Sequence, residues 1–249
     1  MAPESEATAA RNCDDGQARA GAGAASATDA VSGSIAAHKR PCASERKSML
    51  AERSGAGERR AKRRRVPTAS RESLLAELRA HAAFDAREAA MRDRLITFVA
   101  EHAGAFDRAL AIGHVTASAW IVDPARTRAL LTHHRKLDKW LQLGGHVDGD
   151  PDLRRAALRE AREESGLTSL RFVADAIYDI DVHPIPARPG EPAHDHYDVR
   201  FALEADPDEP LVVTAESKEL AWIPIEALAA YGADESVLRL ARKTPSIAG

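Results

Sequence analysis

From Ser70 onward, large apolar residues recur at a spacing of three and four. In "SRESLLAELRAH" these are Leu74, Leu75 and Leu78, and in "DAREAAMRDRLITFVAEH" they are Met91, Leu95, Phe98 and Val99. Both stretches are therefore predicted to be helices, with Ser70 and Ser73 as capping residues of the first. After Gly104 the period drops to two. "HVTASAWIVD" (114–123) and "RALLTHHRK" (128–136), separated by a Pro-containing turn, are predicted to form a hairpin. "WLQLGGHVDGDPDLRRAALREAREESGL" follows and reads as a short strand, a glycine-rich turn and a helix. Asp150 and Pro151 mark the helix start as N-cap and first helical residue, and Gly166 marks its end.

Downstream, "LRFVADAIYDIDVH" (170–183) and "HYDVRFALEA" (196–205) alternate. The second places Tyr197, Val199, Phe201 and Leu203 on one face and His196, Asp198 and Arg200 on the other. "ELAWIPIEAL" reads as a strand running into a short helix, and "ESVLRLARKT" as a last helix. The order of helices, strands, helix, strands and helix predicts an α/β fold with a mixed sheet packed between helices in three layers.

Composition sets the N-terminus apart from the rest of the chain. The first 70 residues hold four Leu, Ile or Val residues, and no Phe, Trp or Tyr precedes Phe84. Such a segment cannot offset the entropy of ordering, so residues 1–70 are predicted to be a disordered tail. Residues 71–249 form the folded part, with helices over 71–104 and a core over 105–249. The tail carries a net charge of +5, which leaves −8 for residues 71–249 within the total of −3. An acidic body argues against general nucleic-acid binding and suits a site that concentrates cations. The run "KRRRVP" (62–67) is the one feature that could meet nucleic acid, and a solvated linker accounts for it more simply. Met49 and Met91 offer later starts. Cys13 and Cys42 both lie in the tail, so the folded part has no disulfide framework. With no apolar run of membrane-spanning length and no N-terminal signal pattern, a cytoplasmic location without a membrane partner is expected.

The chemistry concentrates in "REAREESGL" (159–167), where Glu160, Glu163 and Glu164 fall within one and a half turns. Like charges at that spacing repel. On a helical wheel Glu160 and Glu164 lie inside the arc of Leu153, Ala156, Ala157 and Ala161, which should be buried, and Glu163 borders it. Arg155, Arg159 and Arg162 occupy the opposite face, so no arginine is expected inside the arc to compensate. Hard divalent cations with oxygen ligands, Mg²⁺ or Mn²⁺, answer that need. Gly144 and Gly145 allow a close backbone approach from which a carbonyl could complete the coordination.

Gly145, Arg159, Glu160, Ala161, Glu163, Glu164, Gly166 and Leu167 match in residue and spacing the signature of the Nudix hydrolases, which residues 145–167 thus resemble. The first Glu of that signature is replaced here by Pro151. The resemblance implies an α/β/α sandwich and Mg²⁺-dependent hydrolysis of a diphosphate linked to another group, usually in a nucleoside diphosphate derivative, by water attack on phosphorus. It implies Glu160 and Glu164 as metal ligands, Glu163 as a ligand or water-activating partner, the Gly145 carbonyl as a ligand, and Arg159 as an orienting partner. A further carboxylate before the late Trp-bearing strand falls to Glu216, with Glu219 as runner-up. Two other readings stand beside the hydrolase: a catalytically weak nucleotide-binding regulatory module, and a diphosphate isomerase, which would need acid/base residues, often Cys, that the folded part lacks.

Residues 183–197 contain four prolines and read as a long connection suited to a substrate lid. His183, His194 and His196 within it suggest zinc, but without a spaced partner pair they read as polar loop residues. Arg135 and Lys136, just before the glycines, are placed to meet substrate phosphate or to end a solvated hairpin.

Overall fold

The computed structural model of the protein describes residues 69–247. The expectation of a disordered tail over 1–70, with its basic run, lies outside the described residues except for Ala69 and Ser70.

Two helices open the described part, α1 (Arg71–Ala80) and α2 (Ala86–Glu101). Ser70 caps α1 in a reciprocal capping box with Ser73, and Asp85 caps α2 through the N–H of Glu88. The sheet that follows has eight strands. Strand β1 (Gly113–Val122) is its hub. It pairs antiparallel with β2 (Arg128–His134) and with β4 (Leu143–His146), and parallel with β7 (His194–Glu204). β3 (Lys139–Leu141) and β8 (Ser217–Pro224) extend the sheet from β2, while β5 (Arg171–Phe172) and β6 (Asp179–Ile185) pair with β7. Helix α3 (Leu153–Ser165) connects β4 to β5, and α4 (Glu235–Lys243) ends the fold.

Every residue of β1 is buried, because both sheet faces are covered. On one face Val115, Ala117, Ala119 and Ile121 join a core with α1, α2 and the alanines of α3. On the other, Trp120 and Val122 pack with Leu131, Ile223 and the α4 residues Val237 and Leu240. This is the predicted layering of helices around a mixed sheet. The hairpin is present, and β7 alternates as expected.

Residues 170–183 do not form the single strand their pattern suggests. Phe172 pairs with Leu203 and Asp179 with Arg200, so β7 advances three residues while the other chain advances seven. The surplus loops out between β5 and β6, held where Val173 N donates to Ala202 O and Tyr178 N to Arg200 O. The predicted long connection is also shorter than expected, since β6 reaches Ile185 and β7 starts at His194.

The polar face of β7 is buried as well. Arg200 bonds Asp198 and Asp179, and Arg239 of α4 binds Asp179 and Asp181. Lys243 reaches both Asp179 (2.9 Å) and Glu88 of α2 (2.8 Å). Buried charges need partners, and these bridges fasten α2 and α4 to the sheet. Among the described residues, no helix is long and apolar enough to cross a membrane.

Candidate active site

Helix α3 is set by its ends. Asp152, not Asp150, is its N-cap, accepting from Arg155 N, so Pro151 precedes the cap and is not the first helical residue. Asp150 instead braces the turn: its Oδ1 accepts from Asp152 N and its Oδ2 from Arg155 Nε. The turn passes through left-handed conformations at Asp148 and Gly149, which delays the helix by two residues. Gly166 closes α3 with φ 74°, as its sequence position predicts.

The "LGGH" segment, expected to be a turn, is strand β4, with Gly145 opposite Ala117 and Gly144 opposite Ser118. Its glycines are needed for close approach. A side chain at Gly145 would place its Cβ 2.7 Å from Glu160 Oε2. Gly144 N donates to Glu164 Oε2 at 3.1 Å. Two carboxylates of one helix thus lie against two successive glycines of one strand.

Their electrostatics follow from that burial. The Glu160 side chain is 15% exposed. Burial raises its pKa, the Arg159 charge opposes the rise, and Glu163 and Asp148 add to it. Burial pushes the Glu164 carboxyl up to about 8 against the Gly144 N–H bond, and the charges of Glu160, Glu216 and Glu163 push in the same direction. Glu216, exposed in the loop before β8, therefore acts on the same site as the helix glutamates.

Arg159 does more than line a solvated face. Its Nη1 lies 2.8 Å from Glu160 Oε1 and 3.1 Å from Glu163 Oε2, and its Nη2 donates to His146 O at 2.9 Å. The compensating arginine that the wheel placed outside the apolar arc reaches back into it, because a long side chain is not confined to the sector of its Cα. Arg159 pairs with Glu160 and Glu163 alone, while Glu164 and Glu216 add their charges to the same site, which leaves an excess of negative charge. An array of carboxylate oxygens of this kind fits a hard divalent cation.

Arg135 and Lys136 lie exposed in the turn after β2. The Arg135 guanidinium donates to Ala215 O (3.0 Å) and Ser217 O (2.8 Å), and its backbone N to Glu216 O (2.9 Å). It thereby grips the loop that bears Glu216. Glu219 is exposed on β8, opposite His133.

His183, His194 and His196 are in strands, not in a loop, and His194 is buried. Two residues that sequence reasoning passed over complete their surroundings: His114 of β1, opposite His196, and His146 of β4. Only strand register brings them together. Asp148, which adds to the charge around Glu160, was also missed, although "HVDGD" shows an acid beside the glycines.

A NUDIX domain family model matches residues 113–242, more than half of the chain. Among curated proteins, none matches this chain by sequence. Solved structures similar to it include a C. elegans Ap4A hydrolase binary complex, 20% identical, covering 53% of this chain and 95% of that one with a TM-score of 0.44. A NUDIX-family hydrolase from Clostridium perfringens is 27% identical, covering 54% and 98% with a TM-score of 0.42. The NUDIX domain of Shewanella oneidensis NrtR, complexed with ADP ribose, is 14% identical, covering 60% and 96% with a TM-score of 0.41.

Proposed function

This chain belongs to the Nudix family, and from that premise we propose that it hydrolyses a diphosphate linkage in a nucleoside diphosphate derivative, with Mg²⁺ or Mn²⁺ as cofactor and residues 105–249 as the catalytic core. It is a Nudix-type diphosphate hydrolase. The observation that supports the metal assignment is the packing of Glu160 and Glu164 against Gly145 and Gly144, with Glu216 adding its charge to theirs.

In this reading Glu160, Glu164 and the Gly145 carbonyl hold the cation, with Glu163 as a further ligand or as the group that takes the proton of the attacking water. When bound, the cation neutralises charge on the phosphate oxygens and acidifies water. Arg159 orients the carboxylates, since one guanidinium spans Glu160, Glu163 and the His146 carbonyl. Glu216 contributes a carboxylate from across the site. Arg135 holds the Glu216 loop through its three bonds to residues 215–217, which leaves exposed Lys136 as the nearer candidate for substrate phosphate. Pro151 lies before the cap of α3, outside this set of contacts.

The test is to incubate the full chain with Mg²⁺ and a panel of nucleoside diphosphate derivatives, including sugar nucleotides and dinucleoside polyphosphates, and to identify both products. Cleavage at the diphosphate is expected, and Glu164→Gln should lose at least a hundredfold in kcat while keeping its fold. Near-normal turnover in folded Glu164→Gln would overturn the metal assignment, and products without a cleaved diphosphate would overturn the substrate class.

A further inference from the structure

Five imidazoles meet on the sheet face turned away from α3. β1 and β7 run parallel with His114 opposite His196, and His194 lies two residues before His196 on the same face. The ring centroids are 4.7 Å apart for His114 and His196, 5.0 Å for His114 and His194, and 5.1 Å for His194 and His196. His146 lies 4.9 Å from His114, and His183 lies 5.5 Å from His196.

The inner three have ring nitrogens in want of partners. Both nitrogens of His114, Nε2 of His194 and Nε2 of His196 are buried without a hydrogen bond. His114 is 2% exposed and His194 8%. A buried polar atom left unpaired is costly, and four in one place point to a ligand. Each imidazole in its neutral form carries one nitrogen lone pair that a cation can accept.

We infer that His114, His194 and His196 form a second metal site, built for a borderline transition cation such as Zn²⁺ and separate from the carboxylates of α3. One ligand nitrogen from each residue can be chosen so that all three lie within 4.8 Å of one another. Zn–N bonds of about 2.0–2.1 Å draw such a set together with small side-chain rotations. Neutral imidazoles favour zinc, nickel or copper, whereas Mg²⁺ and Mn²⁺ prefer oxygen. His194 already has the arrangement typical of a ligand: its Nδ1 donates to Pro192 O at 2.9 Å, which leaves the Nε2 lone pair free.

Glu191, with Oε1 3.8 Å from His194 Nε2, offers a fourth ligand from the connection between β6 and β7. That connection forms one wall of a surface cleft lined by Arg108, Leu110, Gly190, Glu191 and His194, which gives the cation a route in. The Arg108 charge acts on His114 and His146 and favours an anionic fourth ligand over a neutral one. Occupied, the site ties β1, β7 and the 186–193 connection at a single point.

The test uses the untagged full chain, stripped with chelator, titrated with Zn²⁺ against a competing dye and separately with Co²⁺ followed by visible absorption. About one equivalent should bind with submicromolar affinity, and Co²⁺ should give the intense bands of a four-coordinate nitrogen site without sulfur charge transfer. His196→Asn and His114→Asn should each weaken binding at least tenfold, whereas Glu164→Gln and a Cys13→Ser/Cys42→Ser double variant should bind as the parent does. Should the His variants fail to fold by circular dichroism, the parent Co²⁺ spectrum decides. Absence of tight uptake by the parent would mean that buried water satisfies these nitrogens, and retention of affinity in folded His196→Asn, or its loss in the Cys variant, would place the metal elsewhere. Any of these results overturns the site.

Discussion

Replacing Gly145 by Ala isolates the contact on which the metal assignment rests. A Cβ there would lie 2.7 Å from Glu160 Oε2, 2.8 Å from its Cδ and 3.1 Å from its Oε1, whereas ordinary contact begins at 3.4 Å. The carboxylate must therefore retreat by about 0.7 Å. It can do so, because it is the far end of a flexible side chain. Gly145 is not among the positive-φ residues, so Ala takes its backbone without strain, and the loss of glycine's unfolded-state freedom favours the variant by up to about 1 kcal/mol. Stability should hold while catalysis fails. Misplacing a group by about 1 Å costs on the order of a hundredfold, so kcat should fall by about ten- to a hundredfold, equivalent to about 1.4–2.7 kcal/mol, and half-saturation should need more Mg²⁺.

Gly144→Ala is the matched control. Gly144 has φ 153°, and its Cβ would lie 2.5 Å from Ser118 Cα and 2.7 Å from Ala117 O, atoms of β1 that cannot turn aside. That variant should lose several kcal/mol of stability, on the scale of severe overpacking, because β4 must part from β1. The assay pairs Mg²⁺-dependent product release with a thermal melt on both variants. If Gly145→Ala keeps its kcat within threefold, or melts as early as Gly144→Ala, the reasoning that places Glu160 against this strand is wrong.

Asp179→Ala should cost about 3–5 kcal/mol in urea unfolding, because it strips a shared partner from Arg200, Arg239 and Lys243 in the interior; a loss below 1 kcal/mol would show that the three cations find water. Burial pushes the Glu88 carboxyl up, but bonds from His81, Lys243 and Phe84 N outweigh it and hold the group at about 2. With a folded pKa below the unfolded one, its stabilisation is complete above about 4.5 and fades as pH falls toward 2, so Glu88→Gln should flatten that limb of a stability–pH curve, and parallel limbs would refute it. Pro151→Glu should change turnover by less than tenfold, since residue 151 precedes the α3 cap; a gain of orders of magnitude would mark the natural protein as a weakened enzyme.

Local signals were legible where local physics decides. Ser70 and Ser73 cap α1, Gly166 ends α3, and the three-and-four spacing within Leu74, Leu75 and Leu78 and within Met91, Leu95, Phe98 and Val99 marks the two opening helices. The glutamates were found because carboxylates beside buried alanines break the rule of a solvated charged face. Where the reading failed, the deciding partner was distant in sequence. Gly144 and Gly145 allow the close backbone approach that their sequence suggests, but pairing with β1 makes them a strand and not a turn. Asp198 and Arg200 alternate as a solvent face would, and they are buried because Asp179, Arg239 and Lys243 arrive from other elements.

The histidines show the same limit in sharper form. A linear spacing pattern finds metal ligands on one helix or one loop, whereas a parallel pair of strands sets His114 beside His196 at a register that no local motif encodes. Alternation within β4 then separates the two chemistries. Gly145 turns toward the carboxylates of α3, and the next residue, His146, turns its ring toward His114 on the opposite face. Arg159 bonds the His146 carbonyl from the carboxylate side. One short strand thus borders a set of oxygen donors on one face and a set of nitrogen donors on the other. A hard cation and a borderline cation can be sorted between them by donor type alone, without either site having to exclude the other's metal by size.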